Sequence, residues 1–201
     1  MQLTPVPQPS GNHAEEMISG GAWPSADEFI FVATAHEYLA ALQKLFNKTS
    51  SPWSKAYRDT FENGGGMWAG DAAGVAGKKG SDIQNSIAAQ ARYLSAAAQW
   101  NERVAQLINQ TKTSIADNVR KTQGLLEGLS DENQQSWIKL CHTLNRGLVS
   151  AASGEVAALQ DFRPPANAEN LAHSGLSIDP PASIPSTPSA PLPQTSHLAV
   201  D

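Results

Sequence analysis

The sequence predicts an all-α fold: an elongated helical hairpin or bundle with a Trp-x-Gly turn and a disordered, Pro-rich C-terminal tail. Three observations predict it. Of thirteen prolines in 201 residues, four lie at or before Pro24, one is Pro52, and eight fall from Pro164 onward. No proline occurs from Trp53 to Arg163, and proline is the residue most hostile to a helix interior. Apolar side chains recur every three to four residues through that stretch, while no run of alternating apolar residues marks a strand. Finally, Asn63-Gly64-Gly65-Gly66 must lie outside any helix, because three consecutive glycines cost too much backbone entropy. The resulting division is an irregular lead-in at 1–24, a helical domain at 25–162 and a flexible tail at 163–201.

Each element has its own signals. Ser25 and Glu28 match the S-x-x-E capping box, in which each side chain satisfies the other's free backbone N–H. Phe31/Val32, Ala35, Tyr38/Leu39, Leu42 and Leu45/Phe46 then recur every three to four residues, as an amphipathic helix requires. Asn47–Ser51 interrupts it, and Pro52 suits the first position of a bent continuation to about Glu62. Beyond the glycines, Asp71 is a plausible N-cap. The next helix runs from about Ala72 to Leu126, on the order of 80 Å at 1.5 Å per residue. Ile87, Leu94, Asn101, Ile108 and Ile115 are spaced by sevens, and a second row holds Ile83, Ala97, Val104, Val119 and Leu126. Together they make a heptad-like seam. Gly74, Gly77 and Gly80 weaken its first turns. Gly128 breaks this helix, Ser130 or Asp131 caps the last one, and Arg163-Pro164-Pro165 stops it. The stripe of that last helix reads Trp137, Leu140/Cys141, Leu144, Leu148, Ala151/Ala152 and Leu159. From Pro164 to Asp201 the composition is Pro, Ser and Ala, which cannot bury enough surface to offset the entropy of ordering.

Composition narrows the function classes. A net charge of −5 gives a nucleic-acid partner no electrostatic support. No apolar run approaches the roughly 18 residues of a membrane span. The segment MQLTPVPQPSGNHAEEM lacks a basic region followed by an apolar one, so no Sec-type signal peptide is expected. Cys141 is the single cysteine and reads as a buried thiol. His13, His36, His142, His173 and His197 are scattered without metal-site spacing. No nucleophile elbow, phosphate loop or C-x-x-C occurs. The expectation is a non-enzymatic protein with no catalytic residues, no metal and no cofactor.

One feature narrows the reading further. In Met67-Trp68-Ala69-Gly70-Asp71, an aromatic at a helix–helix turn can lay its ring across the gap, and the glycine two residues on permits a tight turn. Trp68 reads either as a core residue of the tip or as part of a recognition signal. The setting is a helix, a Gly-rich turn, W-x-G, an acidic residue and a long Ala-rich helix. This resembles the WXG superfamily of type VII (ESX) secretion substrates, which includes the Esx and mycobacterial PPE proteins. The closer likeness is to the Esp group of ESX secretion-associated proteins. It is carried by Glu37–Leu42 (EYLAAL), by Met67–Ala73 with Ala76-Gly77-Lys78, and by Thr113–Gly128 (TSIADNVRKTQGLLEG), over roughly residues 30–130.

The resemblance implies a secreted protein, exported without a Sec signal, in which Trp68 and Gly70 form the secretion motif. Such substrates carry, or borrow from a partner, a Y-x-x-x-D/E signal. Here Tyr38, Tyr57 and Tyr93 are followed four residues on by Leu42, Phe61 and Ala97, so the resemblance implies a helical partner that supplies the signal, with a secretion chaperone or ATPase. Ile83, Ile87, Leu94, Val104, Ile108, Ile115 and Val119 are the candidate interface, open to that partner or to self-association. A polar Asn101 within the seam either fixes register or is solvated. The alternative function is a cytoplasmic coiled-coil-like structural or adaptor protein. A toxin-delivery module ranks lowest, since a tail running to Asp201 leaves no room for an effector.

Overall fold

The computed structural model describes residues 3–62 and 70–159 of the chain, and every described regular element is helical. The molecule is organised on one helix, α4 (Asp71–Leu126), of 56 residues. Because α4 is ~84 Å long at 1.5 Å per residue, no single neighbour covers it. Two antiparallel partners share it end to end. Its first half packs on α2 (Glu28–Leu45) and α3 (Ser51–Tyr57), and its second half packs on α5 (Asp131–Ala158) and the short helix α1 (Ala14–Ile18).

The α2–α4 seam is apolar and aromatic. Tyr38, Leu45, Ile87, Leu94, Ala97 and Ala98 are buried together, flanked by Leu42, Trp53 and Tyr93. Alanines on α4 let the larger residues of α2 approach, and Tyr38 meets Tyr93 edge-on at 6.4 Å, the geometry ring quadrupoles prefer. At mid-length Phe31 joins Val104, Ala105 and Ile108, with Val156 of α5 and its C-cap Leu159 closing over them. In the second half Met17 and Ile18 of α1 sit among Ile115, Val119, Leu126, Ile138 and Cys141. The seam expected on α4 is thus buried within the chain, along both rows from Ile87 to Leu126. The α2 and α5 helices fill it from the same polypeptide.

Several local expectations need correction. The lead-in is not wholly irregular: it contains α1, whose Met17 is fully buried. The capping box does not form. Asp27 caps α2, accepting from the Phe29 N–H at 2.9 Å. Glu28 turns inward instead, its buried carboxylate paired with the Lys112 ammonium at 2.5 Å. Lys112 compensates the charge that burial would otherwise leave unpaired on Glu28.

The helix is not interrupted at Asn47–Ser51 either. It widens into a π-helical turn over Phe46–Ser50, where the Ser51 N–H reaches five residues back to the Phe46 carbonyl. A widened turn relieves the clash that Pro52 would otherwise make with the carbonyl four residues earlier. The α4 N-cap is Gly70, not Asp71, which is the first helical residue.

The largest departure is on α5. The side chains facing the core are Ile138, Cys141 and Asn145, while Trp137, Leu140 and Leu144 face outward. Of the expected stripe, Cys141, Leu148 and Leu159 do pack on the core; spacing alone overlooked Asn145, a polar residue that the core accepts because its hydrogen bonds are met. The tail and the Gly64–Gly66 run lie outside the described residues. No described helix is long and apolar enough to cross a membrane.

Candidate functional site at the hairpin tip

The tip is built by the end of α2, the π-helical turns Phe46–Ser50 and Arg58–Glu62, α3 and the first turns of α4. Gly70 starts α4 with φ +94° and ψ −176°, a conformation that disfavours any residue bearing a Cβ. Its carbonyl accepts from the N–H groups of Ala73 and Gly74 at 3.1 and 3.3 Å. Among the described residues no neighbour comes within 4 Å of where a Gly70 Cβ would be, so the backbone torsion is what favours glycine there. Trp68, the other half of the motif, falls at 63–69, outside the described residues.

Three turns into α4, glycine serves a second purpose. A Cβ on Gly80 would stand 2.6 Å from the Tyr57 ring, so that ring lies directly on the α4 backbone. Phe61 packs on Tyr57 at 5.1 Å between centroids. Gly74 and Gly77 face open space. In the sequence all three glycines read only as weakening these turns, and Gly80 alone lies against a ring.

Beside this contact Leu45, Phe46, Trp53, Ile87, Ala88 and Ala91 line an open groove of about 260 Å³. The buried Trp53 indole N–H has no hydrogen-bond partner among the described residues. Val75, Ile83 and Phe46 are exposed around the tip.

Of the seven candidate interface residues, Ile83 is exposed, whereas Ile87, Leu94, Val104, Ile108, Ile115 and Val119 are buried inside the chain. The structure therefore separates them: one is open to solvent at the tip and six are core. Asn101 is buried and donates to the Ala97 carbonyl of its own helix at 2.8 Å. Among the described residues its Oδ1 finds no partner, and no cross-helix bond from Asn101 fixes the register.

Polar residues overlooked in the sequence pin the opposite end. Asn145, fully buried, donates to the Met17 carbonyl and accepts from Asn118 Nδ2, both at 3.1 Å. Gln123 donates to the carbonyls of Ser10 and Asn12 at 3.0 Å, and Asn109 donates to that of Thr4 at 2.8 Å. The N-terminal strand of prolines is thereby strapped along α4 over a cleft of about 510 Å³.

Titratable chemistry is sparse. Burial, and then the neighbouring Tyr93, push the Tyr38 hydroxyl up to about 12, so it stays protonated at neutral pH. His13 pairs with Glu16 at 2.7 Å on the surface. Among the described residues no three His, Cys, Asp or Glu side chains converge on a metal-sized site.

With this geometry in hand, the comparison with known proteins is direct. The chain is 30% identical over 192 residues, 90% of its length, to the ESX-1 secretion-associated protein EspK of Mycobacterium tuberculosis. It is a distant homologue of that secretion-associated protein. The chain spans about a quarter of that relative, 26% of its length. No protein-family profile and no solved structure matches. The likeness inferred from the W-x-G setting and its flanking helices therefore falls on the same Esp group that the sequence resembled.

Proposed function

We propose that the chain is a secreted, non-enzymatic protein of a type VII (ESX) secretion system that acts through helix–helix contacts. The observation that carries this reading is the relationship to an ESX-1 secretion-associated protein over 90% of the chain. The tip supports it. Gly70 holds a backbone turn that only glycine adopts readily, at the position where a WXG turn joins two antiparallel helices. In this reading Trp68 and Gly70 form the W-x-G half of a bipartite export signal, and a helical partner supplies the Y-x-x-x-D/E half. A chaperone or secretion ATPase then engages the tip, and the protein leaves the cell without a Sec peptide.

Fractionating cultures of a strain with a working secretion system tests this. The protein is expected in the culture filtrate or on the cell surface. Trp68→Ala is expected to retain it in the cell while leaving its helical circular dichroism unchanged. Retention of the unaltered chain in the cytoplasm would favour the second reading, an intracellular coiled-coil-like adaptor. That reading draws on the apolar residues exposed on α5.

A further inference from the structure

The groove at the tip stands open among the described residues. The hairpin arm gives it Leu45, Phe46 and Trp53, and α4 gives it Ile87, Ala88 and Ala91. Phe46 is 48% exposed there. The Trp53 indole N–H is shut off from water and has no acceptor among the described residues, although buried N–H groups are almost always paired. Such a wall, aromatic with a donor to spare, suits a chain in the polyproline II conformation. That conformation makes no hydrogen bonds of its own, so its carbonyls are free to accept. The opposite end of α4 already holds a proline-rich segment in this way. There the Thr4 and Ser10 carbonyls, on either side of Pro5, Pro7 and Pro9, accept from Asn109 and Gln123.

The sequence contains a second segment of this kind, outside the described residues: Pro185-Ser186-Thr187-Pro188-Ser189-Ala190-Pro191. At three residues per turn its prolines share one face, and no charged residue occurs from Pro180 to Ser196. We propose that Pro185–Pro191 docks in the Trp53 groove of its own chain. Its prolines lie against the Phe46 and Trp53 rings, and the indole, itself only partly buried, turns its N–H to a main-chain carbonyl.

Length and reach both fit. From Gln84 to Ala91 the groove follows α4 for about 10 Å, and successive prolines of the segment are separated by about 9 Å. One P-x-x-P therefore fills it. Leu159 packs with Val104 and Ile108, roughly 20–30 Å along α4 from the groove. As a coil, residues 160–184 span about 25–30 Å. A linker whose length matches the gap holds its ligand at an effective concentration on the order of millimolar, so docking needs only a weak intrinsic affinity.

The indole N–H resonances of the full chain, isotope-labelled at its five tryptophans, test this, with Trp53→Phe assigning the Trp53 signal. Replacing Pro185, Pro188 and Pro191 together by Ser should move that signal and leave those of Trp23, Trp100 and Trp137 in place. A control, Pro180→Ser with Pro181→Ser, should move none. Added to the triply substituted chain, the synthetic peptide Ile184–Pro191 should return the Trp53 signal towards its parent position at millimolar concentration. Phe46→Ala, which removes a half-exposed ring, should weaken that response at least threefold. A Trp53 signal indifferent to the triple substitution overturns the proposal, as does a peptide that fails to restore it. A signal that instead shifts with protein concentration in both chains would give the groove to a second copy and overturn it equally.

Discussion

The two halves of α4 are held by different physics. Along its first half, α2 supplies aromatic and aliphatic side chains to an alanine-rich surface, with Tyr38 edge-on to Tyr93. Along its second half, the N-terminal segment is laid into the groove between α4 and α5 and fixed by Asn145, Asn118, Gln123 and Asn109. Apolar packing tolerates sliding, because Leu against Ala is nearly as good one turn away. Hydrogen bonds to named carbonyls do not tolerate it. The second half therefore sets the register of the molecule, and the first half carries a tip that can be re-dressed. The Glu28–Lys112 pair stands where the two meet.

Breaking each half in its own currency separates them. Leu45 is almost wholly buried in the first half, and Leu45→Ala leaves a cavity there. It should cost about 3 kcal/mol in urea unfolding and raise amide exchange in α2 and α3, with α5 little affected. Asn145→Ala removes its bonds to Met17 and Asn118 and strands a buried carbonyl. The expected cost is about 2 kcal/mol, with faster proteolysis within residues 3–24. If Leu45→Ala loosens the N-terminal strap as much as Asn145→Ala does, the two halves are one cooperative unit and the distinction fails.

How much of this was legible in the sequence follows the same divide. The α4 stripe was readable because seven-residue spacing survives any tertiary context, and Leu126 did end the helix. The α5 face was half legible, with Cys141, Leu148 and Leu159 on the core and Trp137, Leu140 and Leu144 off it, because spacing cannot say which of two apolar faces is inward. That was decided by Asn145, whose partners lie 128 residues away on Met17 and 27 away on Asn118. The capping box failed for a related reason: Ser25 and Glu28 had the local pattern, but Lys112, 84 residues on, competed for the carboxylate. Of the candidate site, Gly70 was legible from the W-x-G string. The Tyr57 ring over Gly80 was not, since close approach leaves no mark except the absence of a side chain.

Glycine substitutions at the tip sharpen the contrast on a smaller scale. Gly74→Ala meets nothing within 4 Å and should stabilise α4 by about 0.5–1 kcal/mol through helix propensity. Gly80→Ala gains the same propensity but drives a methyl into the Tyr57 ring, a strain of about 1–3 kcal/mol. It should be net destabilising by about 1 kcal/mol. Opposite signs in thermal melts would establish that the π-helical turns hold Tyr57 firmly on α4; two stabilising results would show that the ring swings away freely.

The last effect expected is alkaline and local to the first half. The Tyr38 hydroxyl is raised from its ordinary 10 to about 12, chiefly by burial and next by Tyr93. Below pH 10 the phenol is protonated in both folded and unfolded chains, and its contribution is fully present. Between 10 and 12 the unfolded chain releases that proton and the folded chain keeps it, so stability falls as pH rises, by at most tenfold in the folding equilibrium per pH unit. Tyr38→Phe has no proton to release. Urea midpoints of the two proteins should therefore run parallel up to pH 10 and converge above it. Parallel lines to pH 12 would mean that water reaches Tyr38 and that the first half is looser than its packing implies.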